Sequence, residues 1–150
     1  MKMEKLLISA CILGISSRYD GKSKKCISDS ELEALCKKYE PVPFCPEIYG
    51  GLPTPRTPSE RVGERVLMRD GTDVTHNYIK GAEEALFLCK TLGIKKALLK
   101  EKSPSCGKNG IYDGTFTATL TDGMGVTAEL LAESGIAVFG ESEIDKILKM

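Results

Sequence analysis

A chain of 150 residues, 41% hydrophobic and 28% charged, is expected to form a single α/β domain over residues 1–150. Its 21 basic and 21 acidic residues cancel, so it lacks the charge footprint of a protein that binds a nucleic-acid polymer or an anionic membrane. No apolar run approaches the roughly 20 residues of a membrane helix, and Met1-Lys2-Met3-Glu4-Lys5 carries no secretory cleavage pattern. The expected compartment is the cytoplasm, where the six cysteines would be thiols rather than disulfides.

Residues 5–10 read as a buried strand, because Leu6-Leu7-Ile8 does not alternate with polar residues. Cys11 opens a loop to Lys25 that contains Gly14 and the turn signal Asp20-Gly21. Ser28 and Glu31 form a capping box. The helix after it carries Leu32, Leu35, Cys36 and Tyr39 at core-face spacing and must stop before Pro41. Residues 42–44 are a second strand, ended by Cys45. Residues 45–59 hold Pro46, Gly50, Gly51, Pro53, Pro55 and Pro58, a composition that predicts a stiff wall or lid rather than a linker.

Residues 62–69 predict a further strand, followed by an Asp70-Gly71 turn, as an excursion outside the main sheet. Thr75 is the expected cap of a helix running to about Thr91, with Ile79, Ala82, Leu86 and Cys89 on its apolar face and Gly93 ending it. Residues 95–100 are a strand, and Lys102-Ser103-Pro104-Ser105-Cys106-Gly107 follows it. Residues 111–117 are rich in β-formers around a turn. A helix over 127–134, a strand over 136–139 and a helix over 142–149 complete the chain. The alternation predicts a three-layer, Rossmann-like open sheet, mostly parallel, with β-hairpin excursions.

In a parallel sheet all strand C-termini share one edge, where open α/β proteins place their chemistry. Cys11, Cys45 and Cys106 each follow a predicted strand, so they are expected to converge there with their sulfurs facing one centre. Cys36 and Cys89 read as helix core residues, and Cys26 precedes a cap. Three soft thiolates suit a zinc ion with an open position, or an iron–sulfur cluster with one iron that the protein does not ligate. A metal-free Cys106 nucleophile is the third option, with His76, the sole histidine, as its one candidate base. Alongside an enzyme, the same thiols would serve a module that binds a cluster or sulfide without turnover. Glu47, two residues past Cys45, is a candidate carboxylate for proton transfer. Ser103 and Ser105 are either turn hydroxyls or proton-transfer groups.

Several separated motifs carry a resemblance: Ser9-Ala10-Cys11-Ile12-Leu13-Gly14, Arg18-Tyr19-Asp20-Gly21, Cys45-Pro46-Glu47 with Gly50-Gly51-Leu52 and Pro55-Arg56, the Ser-Pro-Ser-Cys-Gly segment, and Tyr112-Asp113-Gly114-Thr115-Phe116. Together they resemble a bacterial family first catalogued as domain of unknown function 523, which includes the iron–sulfur-dependent 2-thiouracil desulfurases. The resemblance spans nearly the whole chain. It implies a [4Fe-4S] cluster ligated by Cys11, Cys45 and Cys106, with Glu47 as the acid/base and Ser103 as the second catalytic group. It also implies a small thiolated substrate, such as a thiopyrimidine, desulfurated without redox change. Tyr19 and Arg56 are expected to line the substrate pocket. Position 17 is serine where many members have cysteine, and it is not expected to be a ligand.

Overall fold

A computed structural model describes residues 3–23 and 25–150. Strand β1 (Glu4–Ser9) is the second strand of a four-stranded sheet. It pairs in parallel with β2 (Tyr39–Phe44), Leu7 opposite Val42 and Ile8 opposite Pro43. On its other side lies β5 (Lys96–Leu99), with Leu7 opposite Ala97, and β8 (Ala137–Gly140) pairs in parallel with β5 at the far edge. The order β2-β1-β5-β8 makes β2 an edge strand, which is where Pro41 and Pro43 are tolerated.

The strands point alternate side chains to opposite faces, and each face has its own core. Leu6, Ile8 and Leu98 pack with Ile12, Leu35, Ile144 and Ile147, under helices α1 (Asp29–Lys38) and α5 (Ile144–Lys149). Leu7, Ala97 and Leu99 pack with Ala85, Cys89, Ala128 and Leu131, under α3 (Thr75–Leu92) and α4 (Val126–Glu133). These are the predicted three layers. The capping box forms in both directions, Ser28 Oγ accepting from Glu31 N and Glu31 Oε1 accepting from Ser28 N. Gly93 ends α3 in the left-handed conformation, at φ 70°.

Several local expectations are corrected. The expected strand over 62–69 is a hairpin, β3 (Ser59–Val62) and β4 (Arg65–Met68), which turns at Gly63-Glu64; Asp70-Gly71 turns the chain after β4 instead. The proline-rich segment begins with one helical turn, α2 (Pro46–Tyr49), because Pro46 sits at the first helical position, where a missing N–H costs nothing. Thr75 is not the cap of α3. Val74 holds that position, and Thr75 Oγ1 accepts from Val66 N at 2.8 Å, tying the helix to the hairpin. The buried face of α3 is Tyr78, Gly81, Ala82, Ala85 and Cys89, while Ile79 is exposed.

Glycine explains the placement of that face. A Cβ at Gly81 would stand 2.0 Å from Pro46 O, and one at Gly50 would stand 2.1 Å from Asn77 O, so two glycines let α2 press directly on α3. Cys89 is buried as expected, but Cys36 is exposed, because α1 turns it away from the sheet. Residues 111–117 contribute β6 (Ile111–Tyr112), paired with β7 (Leu120–Thr121), and an intervening loop. The last helix starts as a 3-10 turn over Glu141–Glu143. Among the described residues, no helix is long and apolar enough to cross a membrane.

Candidate active site at the carboxyl edge of the sheet

The chain moves from β1 to β2 on one side and, by way of α3, to β5 on the other. The carboxyl end of β1 is thus a switch point, the place where such sheets open a crevice. A cavity of about 530 Å³ lies there, and Cys11, Cys45, Cys106, Glu47, Ser103 and Arg56 all line it. Tyr19 lines its mouth, with its side chain half exposed. Every site residue expected from the sequence therefore reaches one cavity. His76 is exposed, in the first turn of α3, and does not line it.

Each thiol is positioned by a different local device. Cys11 lies in a 3-10 turn, Ala10–Leu13, which ends at the left-handed Gly14. Cys45 is the N-cap of α2, and its thiol donates to Ser17 O at 3.8 Å. Cys106 sits in a turn built by Ser103, whose Oγ accepts from Ser105 N at 3.2 Å and from Cys106 N at 3.1 Å. That turn is clamped to α4: Val126 N and Thr127 N, free donors of a helix start, bond Pro104 O and Ser105 O.

Burial is the main reason all three thiols titrate high. Cys11 is pushed up by burial and then by Cys106, Cys26 and Cys45, so it senses both other members of the trio. Burial raises Cys45, opposed by the backbone N–H of Ile48. Cys106 is pushed up to about 12 by burial, against hydrogen bonds from Ser9 and Ser105. A soft cation would have to displace the thiol protons to bind here.

The carboxylate beside the thiols is held at both oxygens. Glu47 Oε1 accepts from Arg56 Nε at 3.0 Å, in an ion pair whose side chains are only 13% and 3% exposed. Glu47 Oε2 accepts from Ser105 Oγ at 2.9 Å and faces Ser103 Oγ at 3.5 Å. Arg56 reaches further, donating from Nη2 to Ser17 O and from Nη1 to Pro53 O and Thr54 Oγ1. It thereby ties the proline-rich wall to the Cys11 loop. The arrangement offers a fixed carboxylate oxygen, a pair of hydroxyls 3.0 Å apart and three soft donors around one cavity.

The chain is matched over residues 6–143 by the family model for 2-thiouracil desulfurase. The chain belongs to the 2-thiouracil desulfurase family. It is 37% identical to the uncharacterized protein YbbK of Bacillus subtilis (strain 168), over 95% of this chain and 99% of that one. The solved structure of the [4Fe-4S]-dependent thiouracil desulfidase TudS is 50% identical and superposes with a TM-score of 0.90, covering 95% of this chain and 94% of that one.

In this member of the desulfurase family, sequence reasoning underweighted Ser105. It lies closer to Glu47 than Ser103 does, although Ser-Pro-Ser-Cys offered both hydroxyls. It missed Tyr78, which is buried and faces Glu47 and Ser59; burial, then Glu47, raises its phenol. No local signal marks Tyr78, since its contact depends on how α2 meets α3. Among the described residues, no group of three or more His, Cys, Asp or Glu side chains gathers closely enough to share one metal ion. A cluster asks for something else, because each of its thiolates binds a separate iron. Three thiols lining one cavity, with the nearby Glu47 carboxylate already engaged by Arg56 and Ser105, fit that donor set.

Proposed function

We propose that this protein hydrolytically desulfurates a small thiolated pyrimidine-like substrate, with a [4Fe-4S] cluster held by Cys11, Cys45 and Cys106. The observation that carries the reading is that these three thiols, one from each of three adjacent strand ends, share a cavity with the Glu47–Ser105 pair. Family membership and the 50% identity to a [4Fe-4S]-dependent thiouracil desulfidase support it. The cavity volume of about 530 Å³ suits a small molecule, and the cancelling charges argue against a polymer of nucleotides. A cytoplasmic location would keep the thiols reduced.

When bound, such a cluster supplies an iron without a protein ligand, a soft Lewis acid for a thiocarbonyl sulfur. The protein's own groups handle the proton. Glu47 Oε2 takes it from the water that attacks the thiocarbonyl carbon, while Arg56 holds Oε1 and sets the direction of the free lone pair. Ser105 and Ser103 connect Oε2 to the Cys106 turn and pass the proton toward the departing sulfur. Water adds, sulfur leaves as sulfide, carbonyl replaces thiocarbonyl, and no electrons are exchanged.

The test is anaerobic preparation of the protein, counting of iron and acid-labile sulfide, and assay of 2-thiouracil conversion to uracil. The expected result is about four irons per chain, uracil formed, iron lost in Cys11→Ala, Cys45→Ala and Cys106→Ala, and turnover at least ~100-fold lower in Glu47→Gln with iron retained. Iron retained in all three cysteine variants would overturn the ligand set. One tightly bound zinc per chain in place of iron would restore the zinc alternative. A full cluster with no product from any thiolated base would leave only a binding module.

A further inference from the structure

The loop between β6 and β7 has a conformation that its sequence does not favour. Phe116 and Ala118 both lie in the left-handed region, at φ 57° and 58°, where a bulky side chain is an outlier. Such strain persists only when the surroundings hold it. Here the holder is Glu60, on β3, 8% exposed. Its Oε1 accepts from Gly114 N at 2.9 Å and from Phe116 N at 3.1 Å. Gly114 is pressed on the same hairpin, since a Cβ there would stand 2.2 Å from Val62 Cγ2. Phe116, Thr117 and Ala118 line the cavity, and the Arg69 guanidinium stands 5.5 Å over the Phe116 ring.

We propose that Glu60 latches this loop so that Phe116 forms an aromatic wall of the cavity, which selects flat ring substrates over acyclic thiocarbonyl compounds. Phe116 is the group that touches the substrate, and Glu60 is a positioning residue. A planar heterocycle gains by stacking on an aromatic face, roughly tenfold or more in affinity. Thiourea carries the same thiocarbonyl without a ring and gains little. The choice of a thiolated ring as probe rests on the desulfuration reading above, but the wall itself does not require turnover.

The experiment is equilibrium dialysis of the cluster-loaded protein in a Glu47→Gln background, where conversion is slow, against 2-thiouracil and, separately, thiourea, with the KM for 2-thiouracil measured in parallel on proteins that keep Glu47. Phe116→Ala and Glu60→Ala should each weaken 2-thiouracil binding and raise its KM roughly tenfold, with thiourea binding changed less than about twofold. Phe116→Tyr and Glu60→Gln, which keep a ring and an acceptor oxygen, should restore binding. The Glu60→Ala/Phe116→Ala double variant should be no weaker than Phe116→Ala, because both remove the same contact. Unchanged 2-thiouracil binding in Phe116→Ala, equal losses for both compounds, or no 2-thiouracil bound by the Glu47→Gln parent would each overturn the wall. If Glu60→Ala does not fold, the Phe116 variants decide alone. Binding that depends on Phe116 without conversion would refute the desulfuration reading and leave the wall standing. Conversion with unchanged binding in Phe116→Ala would do the reverse.

Discussion

The Glu47–Arg56 pair gives the sharpest energetic prediction. Arg56→Ala removes the guanidinium from a carboxylate that is 13% exposed and leaves Glu47 with hydroxyl partners alone. Breaking a buried pair from one side costs about 3–5 kcal/mol, because the surviving charge stays desolvated. Water entering the cavity would ease the cost, so the lower end, about 3 kcal/mol, is expected. Pro53 O and Thr54 Oγ1 add little, since both residues are exposed and rehydrate, but Ser17 O is buried and keeps only the Cys45 thiol. Against a domain stability of about 5–15 kcal/mol this is a large fraction. With urea slopes of about 1–3 kcal/mol/M, the midpoint should fall by about 1–3 M. Arg56→Lys keeps the charge without the planar fork and should fall in between. The Glu47→Gln/Arg56→Ala double variant should be more stable than Arg56→Ala, because no charge is then left alone. Reversible urea unfolding of these four proteins and of Glu47→Gln, all without cluster, measures all of this. An Arg56→Ala variant within about 1 kcal/mol of wild type, or a double variant whose losses simply add, would refute the reasoning.

Three further predictions concern how the site is supported. Gly81→Ala should force α2 off α3, since the new Cβ meets Pro46 O; thermal unfolding should show a loss of about 1–3 kcal/mol, and iron content should drop because Cys45 and Glu47 ride on α2. Ser105→Ala should reduce turnover with the fold intact. Ser103→Ala should additionally lose about 1 kcal/mol of stability, because its Oγ caps two turn amides; matched activity and urea measurements separate the two. For Glu143, burial alone would raise the carboxyl, but hydrogen bonds from Asn109, Gly140 N, Lys108 and Lys146 outweigh it and hold the group at about 2. Its contribution is therefore complete above the ordinary value near 4.5 and lost as pH falls toward about 2. Glu143→Gln should be less stable at pH 7 and should show a smaller drop in urea midpoint between pH 7 and pH 3 than wild type.

Much of this architecture is local and therefore readable in order along the chain. The Ser28/Glu31 box, Gly93 and the unbroken apolar run before Cys11 each specify an element through contacts only a few residues long. The strand-then-cysteine pattern told that three thiols share an edge, because parallel strands leave no other arrangement. What the tertiary structure alone decided is which partners meet at that edge. Ile79 lost its predicted place to Tyr78 because α2 lands on Gly81, a contact between residues far apart in the chain. Cys36 has helical spacing suited to a core but faces out, since spacing sets a face and packing chooses which face is covered. Arg56 on Glu47 and Glu60 under Phe116 are long-range pairings, set by where rigid elements come to rest, and no periodicity announces them.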